Sequence, residues 1–174
     1  MPVGIMTESI QFIAYLSGYF FAILAHFFIG PTVKQMYDSV DPERPSPLFE
    51  WQYFALGSIE RVLFISALLA NFGAIIGAWL LAKIAVPYLF WTSARKGQDK
   101  ENGKQIGEEA QIARSSFITS IMGNGLSILY ALVSYKMIKW ILAEKWLHVA
   151  GVPALLILFT FFLRAIADSK QKGR

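Results

Sequence analysis

Six residues in this chain are of types and at spacings that could do chemistry: His26, Glu60, Arg61, Asn71, Asn124 and Ser127. Glu60 and Arg61 open one apolar run, and His26 lies near the end of an earlier one. A guanidinium can hold an anionic headgroup or substrate while a carboxylate or imidazole handles protons. These three are therefore the catalytic candidates for a lipid-acting enzyme near the outer leaflet. Neighbours in sequence do not face each other on a helix, so Glu60 and Arg61 are each expected to pair elsewhere, Arg61 with a loop acid such as Glu50. Asn71 and Asn124 fall about 12–14 Å inside their expected spans at 1.5 Å per residue, near a bilayer midplane. An Asn–Asn or Asn–Ser bond there would clamp two helices by about 0.6–1 kcal/mol. Asn71, Asn124 and Ser127 are also the candidates for a polar binding level or permeation route. In both places the structural reading is preferred: a helix clamp at the midplane, interfacial snorkelling at the span ends.

Other chemistries lack their residues. The chain has no cysteine, which excludes disulfides, thiol redox couples and Cys-ligated zinc or iron–sulfur centres. His26 and His148 make neither a bis-histidine haem site nor a His-rich metal site, so no cofactor and no metal are expected. Met122-Gly123-Asn124-Gly125 lacks the spacing of a phosphate-cradling loop and reads as a place of close helix approach. Glu60-Arg61-Val62 resembles the Glu-Arg-Val opening of the second helix in the membrane-associated eicosanoid and glutathione enzymes. The resemblance covers three residues; Asn71 comes ten residues after Arg61 and no acid follows in the span, so it implies no glutathione site. Small four-helix exporters place an acid in their first span, and here none follows Glu8 before His26.

The elements that must position these residues are membrane helices. Of 174 residues 55% are hydrophobic and 16% charged, against roughly 45–50% and ~25% in soluble domains. About 20 apolar residues suffice to span a bilayer, and four runs approach this: about 10–29, 62–82, 116–135 and 149–166. The fold expected is an all-α, polytopic transmembrane bundle of about four spanning helices, one integral membrane domain over 1–174. Gly30-Pro31 is expected to end the first span, and Asp41 to Pro47 to form part of an outer loop over 31–60. A polar cytoplasmic loop is expected over 83–114, with Gln105 to Arg114 as a candidate extension of the third helix. The amphipathic stretch from Lys136 to His148 either lies in the interface or prolongs that helix. The start, Met1 to Glu8, lacks a basic signal-peptide region.

Between helices in lipid, packing relies on small residues at four-residue spacing. Ala14, Gly18, Ala22, His26 and Gly30 form one such line. Ser66, Ala70, Ala74, Ala78 and Ala82 form a second, and Ser116, Ser120, Asn124, Ser127, Ala131 and Ser134, at steps of four or three, a third. The second and third spans are expected at the centre, and the Leu- and Phe-rich fourth faces lipid. With four spans, ten Lys and Arg share the side of both termini against six opposite, which puts both termini in the cytoplasm of an inner, bacterial-type membrane. The function preferred is a non-enzymatic membrane subunit that packs against lipid, a second copy or a membrane partner, with no nucleic acid. The alternatives are a small-solute carrier or channel lined by Asn71, Asn124 and Ser127, and the lipid-acting enzyme.

Overall fold

The computed structural model describes residues 3–40, 51–97 and 103–172, and every described element is helical: α1 Val3–Leu24, α2 His26–Val40, α3 Trp51–Leu69, α4 Ala74–Gly97, α5 Gly103–Leu142 and α6 Trp146–Lys172. Three stretches are long and apolar enough to cross a membrane: Glu8–Ser39, Phe117–Leu142 and Trp146–Ser169. They take up the first, third and fourth expected spans. The chain is thus an all-helical bundle with the makeup of an integral membrane protein.

Gly30-Pro31 does not end the first helix, because α2 runs through Pro31 to Val40. Proline frees a carbonyl, which membrane helices tolerate when neighbouring groups re-satisfy the backbone. The axis is interrupted earlier, at Ala25, whose carbonyl accepts from both Phe28 N at 3.1 Å and Ile29 N at 2.9 Å. Thr32 Oγ1 also donates back to the Phe28 carbonyl at 2.8 Å.

The run over 62–82 is not one helix. Asn71 adopts a left-handed φ of 60°; Asn71 N donates to Leu68 O at 3.3 Å and Phe72 N to Ala67 O at 2.8 Å. This pair of bonds is the closing motif of a helix with a left-handed residue just past its end, a position asparagine tolerates. The chain then turns through Gly73 into α4. Glu144, with φ 56°, ends α5 in the same way, with Glu144 N on Ile141 O at 3.1 Å and Lys145 N on Trp140 O at 2.8 Å. The Lys136 to His148 stretch therefore prolongs α5 and then turns. The expected loops are shorter than 31–60 and 83–114, since helix occupies 31–40, 51–60, 83–97 and 103–114; Asp41 to Pro47 lies outside the described residues.

Contacts fix the directions. Tyr19 meets Ser66 and Ala22 meets Arg61, so α3 runs antiparallel to α1. Glu60 meets Lys83, so α4 returns alongside α3. Ile76 packs on the cluster of Ile138 and Ile141 while Tyr88 meets Phe117, so α5 reverses again. Tyr130 meets Thr160 beyond the turn at Glu144, and α6 reverses once more. One end of the bundle therefore holds the start of α1 and the two tight turns, and is called the turn end. The other holds the end of α6, and is called the tail end. The two termini of the described chain lie at opposite ends of the bundle.

α5 is the axis of packing. Ala14, Ala22, Phe64, Ile65, Ala131, Ile138 and Ile141 bury one cluster between α1, α3 and α5. Ala25, Ile29, Val33, Leu126 and Tyr130 bury a second, closed by Leu156, Ile157 and Leu163 of α6. The outer face of α6, with Leu155, Leu158 and Phe162, is exposed, as expected of a lipid-facing helix. The line through Ala14, Gly18 and Ala22 does pack tightly. A Cβ on Gly18 would collide with Ile138 Cγ1 and lie 3.0 Å from the Ser134 carbonyl oxygen. At Gly77 it would meet nothing within 4 Å. Gly18→Ala is therefore expected to lower the thermal midpoint in detergent at a cost of about 1–3 kcal/mol. Gly77→Ala is expected to leave it unchanged or raise it, since Ala favours helix by about 0.8–1.0 kcal/mol over Gly.

Candidate functional site

The helix reversal at Asn71 moves the ionisable residues inward. Arg61 stands in the middle of α3, level with Ala22 of α1 and Ser127 of α5. Ser127 lies about 15 Å along α5 from Phe117 and about 22 Å from Leu142 at 1.5 Å per residue. Glu60, Arg61 and Ser127 thus occupy the middle of the bundle and not its rim, where interfacial snorkelling had been expected.

Arg61 is 1% exposed. Its Nε donates to the Ala22 carbonyl at 2.6 Å, its Nη1 to Ser127 Oγ at 3.4 Å and its Nη2 to Ser58 Oγ at 3.2 Å. Ala22 lies in the last turn of α1, where carbonyls lack a helical donor, so the interruption at Ala25 supplies the acceptor that Arg61 caps. Gly57 makes room, because a Cβ there would stand 3.3 Å from Nη1. The guanidinium fork therefore ties α1, α3 and α5 together. Among the described residues no carboxylate lies within ion-pair distance of it.

Glu60 faces away, as adjacent helical positions require, and meets Lys83 of α4. Lys83 Nζ donates to Oε1 at 2.6 Å and to Oε2 at 2.7 Å, with Glu60 5% exposed and Lys83 31% exposed. This is a two-oxygen ion pair between α3 and α4. At the end of one continuous helix over 62–82 Lys83 would lie far from Glu60; only the hairpin folds it back onto that carboxylate. The three charges sum to one excess cation in the middle of an apolar bundle.

His26 packs its ring over Gly30, whose added Cβ would meet Cε1 at 3.2 Å, and stacks edge-on to Phe27. It is close enough to Arg61 for the guanidinium charge to act on the imidazole. Asn71 is the helix-closing residue, exposed at the turn end, and so stands apart from Asn124. Asn124 is buried and donates weakly to Ser120 Oγ at 3.4 Å on its own helix. The Asn71–Asn124 level is thereby replaced by one of Arg61, Ser127 and Ser58, with Asn124 a turn away along α5. Glu50 lies outside the described residues. Among the described residues no three His, Cys, Asp or Glu side chains group as metal ligands. No family model, curated protein or solved structure matches the chain.

Proposed function

We propose that the protein is a multi-pass membrane subunit that works by helix association and not by catalysis. The observation that carries this reading is Arg61, whose donors are spent on a carbonyl of α1 and hydroxyls of α5 and α3. Glu60 is likewise committed to Lys83, which leaves it unavailable as a proton-handling partner for His26. The charges act as clamps between helices. Meanwhile Ala74, Ala78 and Ala82 of α4 are exposed, offering a small-residue face of the kind that packs against another membrane helix. Purification in mild detergent is expected to give a defined oligomer or a stable complex with a membrane partner. A strictly monomeric, partner-free protein would contradict this reading.

In the membrane we place the tail end in the cytoplasm and the N-terminus outside, with α3 and α4 as two separate passes. Lys34 and Arg44 then join the cytoplasmic side, while Arg61 and Lys83 lie within the bundle. Of the sixteen Lys and Arg, eleven fall on the tail side and only Lys136, Lys139 and Lys145 on the turn side. This bias is steeper than ten against six and follows the positive-inside rule. A single cysteine in this Cys-free chain reads the sidedness. Cysteine at Ser9 is expected to react with a membrane-impermeant maleimide on intact cells, and cysteine at Ser169 only after permeabilisation. The same response at both positions would restore the arrangement with both termini on one side.

A further inference from the structure

α4 and α6 both pack on α5 but do not touch each other among the described residues. On α5, Phe117 meets Tyr88 of α4, and Tyr130 meets Thr160 of α6. At 3.6 residues per turn, one line of α5 falls between those two contacts on the side away from the core. It holds Ile118, Met122, Leu129 and Leu132, all exposed, with Gly125 among them at the same three- and four-residue steps. A Cβ on Gly125 would meet nothing within 4 Å, so the floor there is bare backbone. The line is an apolar strip open to lipid, with α4 and α6 as its two sides.

The same line changes character one turn further on. Its next members are Lys136 and Lys139, both exposed. Lys136 Nζ stands 6.0 Å and Lys139 Nζ 5.9 Å from the centre of one ring, that of Tyr135. A shared aromatic face draws both ammoniums to one place, although like charges at neighbouring positions on a helix repel. Among the described residues neither has a carboxylate within ion-pair distance. Trp140, packed on His148 at 5.5 Å, stands beside them, and tryptophan marks the headgroup level of a bilayer. From Lys136, Leu132 to Gly125 run about 6–16 Å deeper at 1.5 Å per residue, which matches the ~15 Å of hydrocarbon in one leaflet. Two cations without an acid, above an apolar strip one leaflet long, complement a molecule with an anionic head and a long apolar tail.

We infer that this strip of α5 binds an anionic phospholipid of the leaflet at the turn end. The phosphate sits between Lys136 and Lys139, and one acyl chain lies along Leu132, Leu129 and Gly125. A second copy of the chain fits less well, because a two-fold contact sets the same patch against itself and would bring four ammoniums together. Of the three lysines on the turn side, two stand on this strip. The charge that runs against the bias of the chain is thus concentrated where a phosphate takes it up. The site lies on one protomer, so it does not depend on the association reading.

The test is thermal unfolding of the full chain in mild neutral detergent, with phosphatidylglycerol or phosphatidylcholine added at equal mole fractions. A ligand that binds only the folded state raises its stability with concentration. Phosphatidylglycerol is expected to raise the midpoint by a few degrees, and phosphatidylcholine at the same fraction to do much less. Lys136→Gln with Lys139→Gln should move the half-effective fraction upward by about tenfold. Lys145→Gln, at the same end but off the strip, should leave it unchanged. Gly125→Leu keeps both lysines and fills the floor. It should weaken the response while the fold persists, since leucine favours helix over glycine. Equal midpoints with the two lipids would overturn the site, and so would a full response in the double-lysine variant or in Gly125→Leu. An equal loss in Lys145→Gln would show net charge at work and not this strip. A matching rise with inorganic phosphate alone would rule out a lipid. A dimer in lipid-free detergent that Gly125→Leu breaks would give the strip to a second copy instead.

Discussion

Arg61→Ala is expected to lower the stability of the folded bundle by about 3–5 kcal/mol, the range for stripping one partner from a buried charged contact. The wild-type side chain fills a site that is 1% exposed and donates to three acceptors on three helices. Truncation leaves the Ala22 carbonyl without its donor at an end of α1, and an unmet buried acceptor alone costs about 1–3 kcal/mol. It also opens a void between α1, α3 and α5 whose lining loses its contacts. Arg61→Lys keeps the charge and loses the fork, so one ammonium has to serve acceptors that three nitrogens served. It is expected to fall between wild type and Ala. The measurement is the midpoint of thermal or detergent-titrated unfolding followed by helical circular dichroism. An Arg61→Ala protein as stable as wild type would show that the guanidinium does not hold the helices.

The second large effect concerns the pair between α3 and α4. Glu60→Gln is expected to cost about 3–5 kcal/mol, because it leaves Arg61 and Lys83 as two cations with no anion between them. Lys83→Met should cost less. It strands a carboxylate that is 5% exposed, but that carboxylate still feels the charge of Arg61. The double variant Glu60→Gln with Lys83→Met restores the wild-type charge sum and replaces a buried ion pair with less polar groups, a change that is often neutral. It is expected to be more stable than Glu60→Gln alone. A double-mutant cycle gives the coupling directly. Additive losses would show that the two side chains act independently and that α4 is held to α3 by other contacts.

These two clamps differ in how far sequence could reach them. The apolar runs of α1–α2, α5 and α6 declare themselves, because lipid demands length and apolarity that no soluble core needs. The packing line through Ala14, Gly18 and Ala22 is legible for the same reason: only small residues let helices come this close. The buried row Asn124, Ser127, Ala131 and Ser134 on α5 is legible too. The matching line of α3 and α4 is not, because Asn71 closes one helix and Gly73 leads into another, so its members no longer share one helix face and all five are exposed.

His26, Glu60, Arg61, Asn124 and Ser127 stood out by type, since polar groups among apolar neighbours need partners wherever the chain folds. By itself, then, the sequence determined an all-helical membrane bundle and which side chains would have to be satisfied inside it. Tertiary structure alone decided who satisfies them. Asn71 could continue a helix or cap it, because asparagine pays little to adopt the left-handed conformation. Its turn reverses the chain and folds Lys83 back onto Glu60. That leaves Arg61 to the Ala22 carbonyl at the end of α1 and to the Ser127 hydroxyl, partners that no sequence spacing points to.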